Sequence, residues 1–205
     1  MPNHTFKTFE IVAGPNGSGK SSFALSFFGG KPQRTNFINA DIIATGLAPG
    51  REGLAAFRAG RMVLTAVNDA IKMGENVAFE STLSGKTWLS ILKTANSKGY
   101  SSTIYFIFLN NVNLNLKRIE RRVKLGGHSI PEEVVRRRYP RSFNCFWNLY
   151  RPECQDWNIF DNSALKPRLI LNKKMWDGMT DLDQTQFSKH FLMRALKPNG
   201  KKDTK

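Results

Sequence analysis

Residues 11–28 read IVAGPNGSGKSSFALSFF, and Gly14 to Ser21 within them satisfy the pattern G-x-x-x-x-G-K-[ST] at every fixed position. Few patterns this short restrict a fold so strongly, because such a loop works only between a buried strand and the first turn of a helix. Both flanks are predicted: FEIVAG is an apolar strand run, and KSSFALSFF carries apolar residues at helical spacing. A ring of backbone N–H groups closes on a phosphate only where the backbone can approach without side chains, which Gly14, Gly17 and Gly19 allow. Lys20 adds a charge for the outer phosphates, Ser21 a hydroxyl for a magnesium ion, and the helix start favours an anion. The candidate nucleotide site is therefore Gly14, Pro15, Asn16, Gly17, Ser18, Gly19, Lys20, Ser21 and Ser22, with Ser21 on the metal side.

Strands and helices alternate beyond this unit. TNFINAD reads as a second short strand, and EGLAAFRAGRMVLTAVNDAIKMG as a long helix stopped by Gly74. NVAFEST, STIYFIFLN, DWNIFDNS and RLILN follow as strands, with helices over KTWLSILKTANSKG and LNLKRIERRVKLGG. In SIPEE, Ser129 is expected as an N-cap with Glu132 in a capping box, Pro131 in the first turn, and Pro140 bending or ending that helix. Thr180 and Asp183 form a second capping-box candidate before the closing helix. Alternation with strands this apolar predicts an α/β fold, a parallel sheet with helices on both faces. One domain is expected over residues 1–196, with a lid at about 117–141 and a flexible basic tail over 197–205.

The formal net charge of +15 makes nucleic acid a partner to consider. Much of the excess lies in the tail and in KRIERRVKLGGHSIPEEVVRRRYPR, and an enzyme with two phosphorylated substrates needs clustered positive charge too. Cys145 and Cys154 form no C-x-x-C pair, so no metal or redox site is expected. No apolar run reaches membrane-spanning length and the N-terminus lacks a signal-peptide core, which predicts a cytoplasmic, reduced protein without a membrane partner.

Ligands in open α/β sheets bind beyond the C-terminal strand ends. Asp41 follows the second strand, where it could take a proton from an attacking hydroxyl, help hold magnesium, or cap the next helix. Glu80 ends FESTLSG, placed for magnesium or for a substrate hydroxyl with Thr82 beside it, unless the segment only caps a helix. Arg118 and Arg122 share a helix face, and two basic helices around Gly126–Gly127 could form a lid over phosphates, or merely a solvated basic face. His128 is expected to shape the hinge or touch a substrate. Arg58 and Arg61 could reach an anionic substrate or form a surface pair, and Asp161 and Asn162 could meet a base or ribose.

Through GPNGSGKS, NAD, AGR, FESTLSG, GGHSIPEEVVRRRYPRSFN and DNS, the sequence resembles the zeta-toxin family of P-loop kinases, in particular its small bacterial members described as predicted ABC-type ATPases or kinases. The resemblance covers residues 8–165 and implies a P-loop NTPase fold of the nucleotide-kinase-like kind, with ATP and Mg²⁺ as donor and cofactor. It implies as acceptor the 3′-hydroxyl of a UDP-N-acetylamino sugar such as UDP-N-acetylglucosamine, and it brings an antitoxin protein in as a candidate partner. Carried over by position, Lys20 and Ser21 hold phosphates and magnesium, Asp41 is the general base, and Glu80 and Thr82 serve the acceptor. Arg61 and His128 join that substrate set, and Arg122 closes on the phosphates with Arg137 or Arg138, Arg138 being the one taken as catalytic. The chain is shorter than the toxins whose sugar-nucleotide pocket is well described, and GGH is not one of their hallmarks. A polynucleotide or RNA-end kinase and a nucleotide-gated binding module are the competing expectations.

Overall fold

Strands that are apolar on both faces belong in the middle of a covered sheet, and here they occupy it. The computed structural model describes residues 7–28, 36–38 and 52–196. Its strands are β1 (Thr8–Ala13), β2 (Asn36–Ile38), β3 (Val77–Ser81), β4 (Ser101–Phe108), β5 (Asp156–Asp161) and β6 (Arg168–Asn172), in the order β2-β3-β1-β4-β5-β6. The described helices are α1 (Lys20–Phe28), α2 (Glu52–Met73), α3 (Thr87–Ser97), α4 (Val112–Lys124), α5 (Glu132–Cys145), α6 (Lys173–Asp177) and α7 (Asp181–Leu196). Of the second predicted strand, Asn36–Ile38 is seen. The rest of that segment, Asp41 included, and the basic tail lie outside the described residues.

β1 pairs in parallel with β3 and β4, β2 with β3, and β4 with β5. Alternate side chains of β1 then serve two helical layers. Phe9, Ile11 and Ala13 join the larger core, with buried residues of α2, α3, α5 and α7; Val12 faces the smaller one, with Ala24 of α1 and Ile107 of β4. β6 departs from the expected parallel arrangement by running antiparallel to β5. The connection between them, residues 162–167, is too short for the crossover a parallel neighbour requires.

Two helix-end expectations are corrected. Ser129 is not an N-cap: α5 starts at Glu132 with Pro131 in the cap position and no side-chain cap. Ile130 precedes a proline, which disfavours helical geometry, so the helix cannot begin earlier. The Pro131 carbonyl instead accepts from the N–H groups of Val134 and Val135, and Glu132 pairs with Arg136 at 2.7 Å. Pro140 does not end α5, which runs on to Cys145 and passes into a π-turn at Phe146–Tyr150. Buried Tyr139, Phe143, Phe146 and Tyr150 tie this segment to the core on both sides of the proline, outweighing one lost backbone bond. The second box is made in part: Asp183 N–H donates to Thr180 Oγ1 at 3.2 Å, while the carboxylate accepts from that hydroxyl at 2.7 Å. Among the described residues no helix is long and apolar enough to cross a membrane.

Candidate active site

The glycine loop joins β1 to α1, as its sequence requires, and α1 begins at Lys20. Gly14, Gly17 and Gly19 have φ of +138°, +76° and +92°, a region costly to other residues. Each also lacks room: an added Cβ would lie 1.9 Å from the Ile107 carbonyl oxygen at Gly14, 2.6 Å from that of Asn115 at Gly17, and 2.5 Å from Asn162 Nδ2 at Gly19. The glycines thus serve packing behind the loop as well as the phosphate face in front.

That packing fixes the loop. Buried Asn115 of α4 donates through Nδ2 to the Asn16 carbonyl at 2.7 Å. Asn162, just after β5, donates through Nδ2 to the Ser18 carbonyl at 2.8 Å, and its own carbonyl accepts from Arg118 at 2.8 Å. Sequence reasoning missed Asn115 and gave Asn162 to a base or ribose; neither role has a local signal. Asn162→Ala would leave the buried Ser18 carbonyl unsatisfied, at a cost of about 1–3 kcal/mol. We expect a Tm lower by several degrees together with weaker nucleotide binding, measured by scanning calorimetry and by titration.

In front of the loop lies a cavity of about 1050 Å³, lined by Gly17, Gly19, Lys20, Ser21, Glu80, Thr82, Arg118 and Arg122 among others. Ser21 Oγ donates to Glu80 Oε2 at 2.9 Å. This hydroxyl and carboxylate are a hard-oxygen pair of the kind that fits a magnesium ion beside phosphates. Lys20 Nζ donates to the Pro15 carbonyl at 3.0 Å, holding its charge across the loop. Phe23, Phe27, Phe160, Leu165 and Pro167 supply an apolar flank.

The arginine block divides. Arg118 and Arg122 of α4 reach this first cavity. Gly126 and Gly127 close α4 with two return bonds, Gly126 N–H to Val123 O and Gly127 N–H to Arg122 O, both 2.9 Å. Arg122 then folds over Gly127: its guanidinium donates to the His128 carbonyl at 2.7 Å, and a Cβ at Gly127 would lie 2.6 Å from Arg122 Cγ. The Gly-Gly pair is a bonded saddle for Arg122, and His128 contributes its backbone oxygen. Arg136 is engaged elsewhere, with Glu132 and, at 3.1 Å, Asn113. Arg137 and Arg138 line a second cavity of about 660 Å³ with Arg61, Arg141 and Trp88. Ser81 and Thr82 border both cavities.

The wall between the cavities is the β3–α3 turn. Leu83 within it is buried and has φ +46°, which costs about 1–3 kcal/mol for a residue other than glycine. The turn is held by Ser142 Oγ donating to the Thr82 carbonyl at 2.5 Å and Tyr150 OH donating to the Gly85 carbonyl at 2.7 Å.

The sequence model of the Zeta toxin family matches residues 53–147. An uncharacterized protein of Haemophilus influenzae is 40% identical over 129 residues, covering 63% of this chain and 90% of that one. Over residues 53–147 the chain is similar to the zeta-toxin family. Among solved structures the chain resembles one from the PezAT chromosomal toxin–antitoxin system of Streptococcus pneumoniae, with TM-score 0.61, 15% identity and coverage of 94% of this chain and 85% of that one. It also resembles AvrRxo1-ORF1:ORF2 with ATP, at TM-score 0.67 and 15% identity, covering 96% of this chain and 67% of that one. At such identities the likeness establishes the fold, that of P-loop kinases.

Proposed function

We propose that the protein is an ATP-dependent kinase, like the zeta toxins that residues 53–147 resemble, and phosphorylates a hydroxyl of a small, phosphorylated acceptor, the 3′-hydroxyl of a UDP-N-acetylamino sugar being the first candidate. The carrying observation is the convergence of Lys20, Ser21, Glu80, Arg118 and Arg122 on one cavity in front of the glycine loop. The AvrRxo1 relative's structure with ATP supports ATP as donor. In the reaction the acceptor oxygen bonds to the γ-phosphorus as its bond to the β–γ bridging oxygen breaks; ADP leaves, and the hydroxyl proton passes to a carboxylate. Lys20 and the two arginines offset charge on the phosphate oxygens, and the loop N–H groups orient the chain of phosphates. Magnesium, held by Ser21 with Glu80 behind it, would neutralise phosphate charge in the bound state. Asp41 is the proposed base, by its position in the family motif. The toxin–antitoxin setting of PezAT and the two-component AvrRxo1 complex support an antitoxin protein as a partner.

The test is ³¹P NMR of the protein with ATP and Mg²⁺ and a panel of sugar nucleotides, nucleosides and RNA ends. A new phosphomonoester on a sugar nucleotide is expected; phosphorylation of RNA ends alone would replace the acceptor assignment. Asp41→Asn is expected to keep ATP affinity and lose at least about 100-fold in turnover. Near-normal turnover with a lower Tm would make Asp41 a helix cap instead.

A further inference from the structure

We propose that the lid divides its arginines between two substrates, and that Arg61, Arg137, Arg138 and Arg141 form a subsite for a pyrophosphate group carried by the acceptor. The proposal rests on the kinase reading above and assigns to the second cavity a ligand chemistry of its own.

The four guanidinium groups come from two helices. Arg61 is on α2; Arg137 and Arg141, one helical turn apart on α5, share a face, and Arg138 lies between them. Among the described residues no acidic side chain lines this cavity, and no described ion pair engages any of the four. Arg136, in the same run, shows what an arginine does when an acid is in reach: it pairs with Glu132. Burial, together with the neighbouring Arg137 and Arg141, pushes the Arg138 guanidinium below its ordinary value. Like charges gathered without a counter-charge repel, and an anion relieves that repulsion on binding.

The cluster is also held in place. Tyr139 OH donates to the Leu109 carbonyl at 2.6 Å and Ser142 to that of Thr82, anchoring α5 next to Arg138 and Arg141. Each guanidinium presents a fork of N–H donors suited to phosphate oxygens. Four forks exceed the three free oxygens of a phosphate monoester. Two linked phosphates match them better. Trp88 on the same wall offers a flat apolar face for the group beyond the phosphates. Because Ser81 and Thr82 belong to both cavities, an acceptor anchored here stays beside the nucleotide phosphates. Arg61, Arg137 and Arg141 are exposed and Arg138 is half-buried, so the cluster opens to solvent while converging with Trp88 on one cavity.

The test uses full-length protein saturated with a non-hydrolysable ATP analogue and excess Mg²⁺, so that the glycine loop is filled. Inorganic pyrophosphate is then titrated calorimetrically. Binding is expected, and Arg137→Gln with Arg141→Gln should weaken it by at least about tenfold while analogue affinity stays constant. Arg137→Lys with Arg141→Lys should fall between, since charge persists but the fork is lost. No pyrophosphate binding to the analogue-loaded protein, or unchanged affinity in the double glutamine variant, would overturn the subsite and leave the kinase reading standing. Failure of the analogue itself to bind would overturn both. Competition distinguishes sources: a nucleoside diphosphate sugar should displace pyrophosphate, and displacement only by a 5′-phosphorylated oligoribonucleotide would refute a small-molecule subsite.

Discussion

Lys20→Ala is expected to abolish phosphoryl transfer without unfolding the protein. The Lys20 ammonium is held at the front of the loop by the Pro15 carbonyl, whereas the contacts that fix the loop, Asn115 to Asn16 and Asn162 to Ser18, lie behind it. Removing the side chain takes a charge from the transferring group and no large apolar surface from the core. Clamp groups of this kind are worth about 100-fold or more in turnover. Measured kcat should fall by at least that factor while the thermal transition stays within a degree or two of wild type. Undiminished turnover in this variant would mean that the glycine loop is not the nucleotide site.

Arg122→Ala should also cost heavily, about 10³-fold in kcat, as arginines at transferring phosphates do in related chemistry. The saddle adds a sharper comparison. Gly127→Ala places a Cβ 2.6 Å from Arg122 Cγ and should lower turnover by displacing that arginine. Gly126→Ala meets no atom within 4 Å and should cost about 1 kcal/mol of stability at its φ of +85°, with turnover largely kept. Equal turnover losses in the two variants would favour a flexing hinge over a saddle. Trimming the chain from Lys197 onward should alter neither turnover nor acceptor affinity; loss of activity there, with Arg122→Ala intact, would shift the role of the basic charge to the tail.

The unit from β1 to α1 was legible because its chemistry is local: strand, glycines, Lys20 and Ser21 follow one another directly. The residues that steady the loop were not. Asn115 reaches Asn16 across 99 positions and Asn162 reaches Ser18 across 144, so no spacing rule announces either. Leu83 gave no warning of a positive φ, because leucine is a residue that avoids it. The register of the arginine run was not readable: the structure pairs Arg136 with Glu132, four residues earlier, and puts Arg137 and Arg138 on the second cavity. That Arg138 faces the second cavity rather than the nucleotide cavity depends on how α5 docks against Thr82, and docking is a tertiary fact.

The turn around Thr82 has a consequence for inhibition. Since Ser81 and Thr82 form a partition common to both cavities, a molecule joining an adenosine polyphosphate to a diphosphate-bearing fragment could occupy the two at once. Binding of the first half would hold the second at a high local concentration, so affinity would rise with a tether of matched length and collapse with one too short to cross the partition. The strained, bolted Leu83 turn makes that distance a fixed property of the protein, a ruler against which linker length can be chosen.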